Sequence, residues 1–336
     1  IGDSRVFDYK TGKILRVLKG LGSPPKSLHF GSDSKTVIAG DVYGKILKWN
    51  IDSGKQTGVF DFHPFEDDKL LLEHNGMKGE MISVDERGYL CFWNNNETSK
   101  PVTIDKKTVS EVYKLASNSL GLPGNLTISP NLEDYAFSVE NYIILMNQKR
   151  KVYFMIENKY KPGFLKFSPD GQRLLTGCVA RGAEQHAYVF EKQNDASWKE
   201  IADFDAADAS MITGDFIDNN TVVTAGGEEN YIYIWSLEKD KNGKQKRIKT
   251  FKSNGINSHA VGLNKGTIAY SEIWTENFGF SAFNKEFDLF LKKIKKYNNN
   301  KYVRPIHTHN EWNIKWCRTE NGLYGLTAGL KIKQKN

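Results

Sequence analysis

At 336 residues and 38.2 kDa the chain is too long for one ordinary core, and suits two average domains or one large closed architecture. With 39% hydrophobic and 26% charged residues and a mean hydropathy of −0.54 it reads as folded, not disordered or fibrous, and nothing approaches the roughly 18 apolar residues of a membrane helix, so no membrane partner is expected. The net charge is +7, and the three cysteines (Cys91, Cys178 and Cys317) have no paired spacing, which argues against a disulfide scaffold and predicts a reducing, cytoplasmic setting.

Turn residues recur every eight to twelve positions, with short β-branched and aromatic runs between them. In chain order, a strand ends at Phe7 and another covers Ile14–Leu18. A shorter strand ends at Phe30 before the turn Gly31-Ser32-Asp33, followed by Thr36–Ala39 and Lys45–Trp49. The same sequence of short strand, turn and long strand repeats from His74 to Trp93, and from Ile128 through Ser129-Pro130-Asn131 to Tyr142–Met146. It repeats again from Phe167 through Ser168-Pro169-Asp170-Gly171 to Phe190, then from Phe216 through Thr221–Ala225 to Tyr231–Trp235, and from Leu263 to Phe283. Only Glu286–Lys296 has a helical pattern; Trp312–Trp316 and Leu323–Ala328 are strands again. The fold class is all-β.

The strand ends reveal a repeat. A large apolar residue followed by a small polar or acidic one occurs at Phe7, Trp49, Trp93, Met146, Phe190, Trp235 and Phe283, with spacings of 42, 44, 53, 44, 45 and 48 residues. A unit of about 45 residues with four short strands is the period of a propeller blade. "LKFSPDGQRLLTG" followed by "AYVFE", "TVVTAGGEENYIYIWSLE", "TVIAGDVYGKILKWNIDSGK" and "RVFDYKTGK" resemble WD40 repeats, over almost the whole chain. The resemblance implies a seven-bladed β-propeller of four-stranded antiparallel blades across residues 1–336. The family's Gly-His dipeptide is missing, and Tyr43, Arg87 and Glu229 replace the aspartate six positions before the tryptophan. Those departures predict that the usual hydrogen-bonded tetrad is not assembled here. Asp41…Gly44 and Asp85…Gly88 are expected to tighten the hairpins between middle strands instead.

The first anchor lies only six residues into the chain, so the N-terminus supplies two outer strands and Trp312–Trp316 and Leu323–Ala328 supply two inner ones. Joined, they form a composite blade that closes the ring; Leu330–Lys335 is an alternative third C-terminal strand. A start in mid-blade leads to the expectation that the chain is a piece of a longer polypeptide. "GINSHAVGLNKGTIAYSEI", "FNKEFDLF" and "EWNIKW" resemble the sixth blade and closure of the first propeller in bacterial tandem-WD40 proteins, where propellers accompany effectors such as caspase-like peptidases.

No phosphate-cradling loop, nucleophile elbow or dinucleotide-binding turn is present, so no enzyme activity and no cofactor are expected. His307-Thr308-His309 with Cys317 is the one metal-like cluster; the nine-residue interval from His307 to Trp316 matches the family's structural histidine, so no metal is assigned. Trp49, Trp93 and Trp235 recur in one register and are read as packing between blades, not as a base-stacking platform. Cys91 and Cys178 are read as small buried hydrophobes. Sequons at Asn96, Asn125 and Asn219 are incidental to an Asn-rich chain.

Two loops carry candidate partner contacts: Val179–Gln185, with Arg181, and Glu272–Gly279, with Trp274. Basic strips are the other candidates. Lys239–Lys252 holds seven basic residues and one acid and includes Lys246 and Arg247. Lys285–Arg304 holds seven and two and includes Lys292, Lys293, Lys295 and Lys296. The expected function is a non-catalytic protein-interaction scaffold. The alternatives are a regulatory propeller of a larger effector and binding of nucleic acid or an acidic partner through the strips. The sequence names neither a partner nor an oligomeric state.

Overall fold

The structure, a computed structural model, describes residues 4–8, 14–22, 25–31, 33, 35–41, 45–60, 70–75, 80–85, 90–94, 102–103, 123–178, 185–207, 211–226, 231–243, 245–252, 256–263, 267–273, 278–282, 314–319 and 322–328. The anchor Phe283, the helical pattern Glu286–Lys296 and the alternative strand Leu330–Lys335 lie outside these residues.

The strands, in chain order, are β1 (Ser4–Asp8), β2 (Ile14–Leu18), β3 (Pro25–Phe30), β4 (Thr36–Asp41), β5 (Ile46–Asn50), β6 (Gln56–Phe60), β7 (Leu70–Asn75), β8 (Glu80–Asp85), β9 (Leu90–Asn94) and β10 (Val102–Thr103). Next come β11 (Pro123–Ile128), β12 (Asp134–Val139), β13 (Tyr142–Asn147), β14 (Val152–Glu157), β15 (Pro162–Phe167), β16 (Arg173–Cys178), β17 (Gln185–Lys192) and β18 (Trp198–Ala207). The last are β19 (Met211–Asp218), β20 (Thr221–Gly226), β21 (Tyr231–Lys239), β22 (Gln245–Lys252), β23 (Ile256–Leu263), β24 (Thr267–Ile273), β25 (Phe278–Ala282), β26 (Ile314–Thr319) and β27 (Gly322–Ala328). Paired neighbours, among them β1 with β27, β4 with β5, β12 with β13 and β26 with β27, run antiparallel.

Two compact units emerge: one of Ile1–Asp85, Cys91–Val102 and Asn277–Asn336, the other of Glu86–Leu90 and Thr103–Glu276. The first unit holds three four-stranded sheets, ordered β2-β1-β27-β26, β3-β4-β5-β6 and β10-β9-β8-β7. The first of these is the composite sheet expected from the chain ends. Its central seam runs from Ser4↔Ala328 to Asp8↔Tyr324, and β26 starts at Ile314, two residues past the expected Trp312. The second unit holds the sheets β11-β12-β13-β14, β15-β16-β17-β18 and β19-β20-β21-β22, together with the β23–β24 hairpin. In it β11 packs on β15, β15 on β19 and β19 on β23; in the first unit β27 packs on β3 and β3 on β7.

Period-2 alternation explains the packing, because successive side chains on a strand leave opposite faces of the sheet. In the fourth repeat Leu174 joins Leu165, Phe167 and Phe190 in a core shared with β11–β14. Its neighbour Leu175 joins Phe164, Val189 and Phe204 in a core shared with β19–β22. Likewise Val37, Ala39 and Trp49 face the composite sheet, whereas Ile38 and Ile46 face Met81, Cys91 and Trp93. The sheets β3–β6 and β15–β18 are therefore buried on both faces, and that burial is the main stabilising term.

The turns use the residues their sequence suggests. In Ser168-Pro169-Asp170-Gly171 the Ser168 hydroxyl accepts from the Arg173 amide (2.9 Å), Asp170 accepts from Gln172 (3.0 Å), and Gly171 takes φ +73°. Asp41 does tighten its hairpin, accepting from the Lys45 amide at 3.0 Å. Residues 86–89, and with them Asp85…Gly88, lie outside the described residues. Gly214 in β19 marks the tightest approach of two inner strands: a Cβ there would sit 2.6 Å from Phe164 and 2.9 Å from the Val223 carbonyl.

Candidate functional site

The tryptophans belong to the packing. Trp49, Trp93 and Trp235 are buried between sheets, and each indole N–H has an acceptor. Trp93 donates to Ser83 Oγ at 2.8 Å and Trp235 to Thr224 Oγ1 at 3.0 Å. So the indole–hydroxyl limb of the expected tetrad is built at these two anchors, despite the missing aspartate. Ala39 stands where those hydroxyls stand, and Trp49 donates to the Lys19 carbonyl at 2.9 Å instead. None of the three offers a ring face for stacking.

In the second unit a group of polar side chains lines a cleft of about 460 Å³. Its loop side is Asn141, on the β12–β13 connection, and Glu157, Asn158 and Lys159, which lead from β14 toward β15. Its strand side is Tyr188 and Phe190 of β17 and Glu200 and Asp203 of β18. The loop side is locked: the Asn158 amide donates to the Asn141 carbonyl at 2.8 Å, and Asn158 Nδ2 donates to the Tyr160 carbonyl at 2.8 Å. The cleft lies at the end of the sheet from which the β12–β13 connection leaves. Residues 179–184, and so Arg181, lie outside the described residues.

The electrostatics are acidic. Burial raises the Glu200 carboxyl above its ordinary range, and the nearby Asp203 charge pushes it further, against a smaller opposing pull from His186. Asp203 is itself paired with His186 Nδ1, whose ring stacks on Tyr188 with centroids 5.9 Å apart. The Lys159 ammonium lies over the Tyr160 ring, 5.3 Å from its centroid. Burial pushes the Tyr188 phenol up as well, reinforced by Cys178, Asp203 and Glu200.

Cys178, His186 and Asp203 come close enough to suggest a nucleophile with its base and orienter. The thiol is fully buried, however, and burial raises it above the ordinary range, against the His186 amide and Tyr188 hydroxyl that favour thiolate. A nucleophilic cysteine needs the reverse: exposure and a lowered pKa. Cys91 and Cys178 are small core residues, as expected. Among the described residues no cluster of three metal-ligating side chains occurs. His307 and His309 lie outside them, as does the Cys317 side chain.

Of the sequence-derived contact residues, Lys246 and Arg247 are described, both exposed on β22. Neighbours on a strand, they leave opposite faces of the sheet. The Arg247 guanidinium lies over Tyr233 and Trp235, 5.3 and 5.7 Å from the ring centroids, so it also covers the edge of the core between β15–β18 and β19–β22. Trp274, Lys292, Lys293, Lys295 and Lys296 lie outside the described residues. Sequence reading missed the cleft entirely. Its residues come from two connections and three strands with no shared spacing, and the one visible signal was unpatterned carboxylates beside an aromatic strand.

No protein-family model and no curated protein matches the chain. Solved structures do. The chain is similar to U3-55K (TM-score 0.61, 13% identity, covering 85% of this chain and 82% of that one). It is similar to a chain of the mitotic checkpoint complex (TM-score 0.65, 12% identity, 84% and 82%) and to the RRP9 WD40 repeats (TM-score 0.62, 13% identity, 85% and 81%). At these identities the likeness is one of fold. The chain is all-β, and its four-stranded antiparallel sheets are those of a WD40-type β-propeller.

Proposed function

We propose that this WD40-type propeller is a non-catalytic protein-interaction module, holding loops and strand edges rigid for partners. The reading takes residues 1–336 as one ring of seven blades, with the β2-β1-β27-β26 sheet as the closing blade. Pairing of the two chain ends from Ser4↔Ala328 to Asp8↔Tyr324 supports that closure. The two buried free thiols accord with a reducing, cytoplasmic setting.

The observation that carries the function is the division of labour among side chains. Trp49, Trp93, Trp235, Cys91 and Cys178 are locked in inter-sheet cores, while a set of polar side chains lines a cleft at a loop-bearing edge. Such a surface recognises, and the fold supplies rigidity. One neighbour in fold was solved as part of an assembly, the mitotic checkpoint complex, which accords with this use.

A photoreactive residue in place of Glu200, inside the cleft, and another in place of Lys149, on the exposed turn after β13, test the reading in cells. A discrete protein adduct from the Glu200 position and none from Lys149 is expected. Equal labelling at both, or none at either, counts against an interaction face at the cleft.

A further inference from the structure

Strand β22 is the outermost of its sheet, and among the described residues no strand pairs with its other edge. It also differs from the outer strands of the two preceding sheets. In β14, Ile156 is buried, and in β18, Trp198, Ala202 and Phe204 are buried. In β22 none of residues 245–250 is buried, Lys246, Arg247 and Ile248 are exposed in succession, and Ile248 is 44% exposed. No other large hydrophobic of the second unit is so exposed among the described residues.

The strand is also the basic one. Residues 239–252 carry seven Lys and Arg against one acid, and that acid, Asp240, accepts the Asn242 amide at 2.8 Å in the turn that leads into β22. Ladder pairing with β21 is regular from Tyr231↔Lys252 to Ile234↔Lys249 and then shifts register at Ile248, with Arg247 opposite Trp235, while Gln245 Nε2 ties the start of the strand to the Ile201 carbonyl at 3.2 Å.

We propose that the open edge of β22 receives an extended acidic segment of a partner protein, added as a fifth strand. This rests on the interaction-module reading and names the chemistry of one partner. A strand edge presents alternating amides and carbonyls that only another strand satisfies in series. Side chains of the added strand would lie directly across from those of β22, where opposite charges stabilise and like charges repel. Carboxylates therefore suit Lys246 on one face and Arg247 on the other, and a small apolar side chain suits Ile248. The same charges exclude a neutral or basic strand, including β22 of a second copy, so edge lysines that prevent self-pairing also select the partner.

Nucleic acid fits less well. Base stacking needs exposed rings, and here Tyr233 and Trp235 are buried beneath Arg247. A phosphate chain would meet only the charges and use neither the backbone edge nor Ile248.

The probe is an acetylated glutamate peptide as long as β22 with one central valine, so that carboxylates leave both faces of the strand, titrated against the full chain by fluorescence anisotropy. Three controls accompany it: the lysine–valine counterpart, the glutamate peptide N-methylated at alternate amides, and oligothymidylate. Binding is expected for the glutamate peptide alone, weakened about tenfold by Lys246→Glu and by N-methylation. Ile248→Lys should weaken it too, with the fold of both variants checked by circular dichroism. Undiminished binding of the N-methylated peptide overturns strand addition, and binding that Lys246→Glu leaves unchanged overturns the location. Oligothymidylate binding lost in Lys246→Glu, without peptide binding, replaces the proposal with a nucleic-acid site. No binding of any probe overturns it. If the Glu200 adduct persists in that last case, the interaction-module reading stands and the β22 proposal alone falls.

Discussion

Where the β2-β1-β27-β26 sheet meets β3–β6, the polar ties end on backbone carbonyls: Trp49 on Lys19 at 2.9 Å, Arg16 Nε on Asp52 at 3.1 Å, Lys45 on Gly20 at 3.4 Å. Where β11–β14 meets β15–β18, they run largely from side chain to side chain. The Trp198 indole donates to the Tyr153 hydroxyl (2.9 Å), Tyr153 to Asp134 (2.7 Å), and Lys192 to the other Asp134 oxygen (2.6 Å). Every residue has a carbonyl, so the first joint depends on few identities. The second needs four matching residues, and its members stand or fall together.

Breaking the chain of side chains should cost most. Asp134 is 1% exposed, so Lys192→Met leaves a buried carboxylate with its hydroxyl donor alone and is expected to cost about 3 kcal/mol by urea denaturation. Arg16→Ala, in the exposed part of the first joint, should cost under about 1 kcal/mol. Equal losses would dissolve the contrast. Gly214→Ala probes a third kind of joint, of backbone against ring. Clash with Phe164 is expected to cost about 2 kcal/mol, relieved in part by Phe164→Leu in the same background.

The indole acceptors give a smaller test. Ser83→Ala strands the buried Trp93 N–H and should lower stability by about 2 kcal/mol. Ala39→Ser offers Trp49 a hydroxyl it does not need, because Lys19 already accepts, so no gain is expected. A stabilised Ala39→Ser variant would show that the carbonyl is the poorer acceptor.

Smallest are two opposed pH effects, one in each unit. Burial raises the Asp33 carboxyl, but the Thr36 hydroxyl, the Lys35 and Thr36 amides and the Lys48 charge outweigh it, and the group titrates below its usual range. Its contribution is therefore present above the ordinary Asp range and lost as pH falls through the lowered value. Asp33→Asn should destabilise at neutral pH and become silent in acid. Glu200 has the reverse sign: raised by burial and then by Asp203, it favours the fold only while protonated. Glu200→Gln should raise the thermal midpoint at neutral pH, with the gain vanishing below the ordinary Glu range. Parallel pH profiles for the two variants would contradict both assignments.

Much of this architecture was legible because propeller packing is repetitive. An anchor every 42 to 53 residues, alternation within strands and Ser-Pro-Asp-Gly turns each report one local requirement, and the strands fall where those signals put them. The composite sheet was legible too, since two N-terminal strands without inner partners need two C-terminal ones. The acceptor for each indole was not. Ser83 and Thr224 lie on the strand before their tryptophans, yet Trp49 reaches to Lys19, 30 residues away on the connection after β2.

Sequence by itself determined the strand pattern, the repeat and the burial of Trp49, Trp93, Trp235, Cys91 and Cys178, because these follow from periodicities of a few residues. Tertiary structure alone decided that Glu200, Asp203 and Asn158 share a cleft, that Arg247 lies over Tyr233 and Trp235, and that no strand among the described residues covers the outer edge of β22. Those facts depend on how neighbouring sheets splay and where connections end, and no short-range pattern encodes that geometry. The net charge of +7 shows the same division: the residues supply the sum, and the fold decides that part of it lies along one exposed strand.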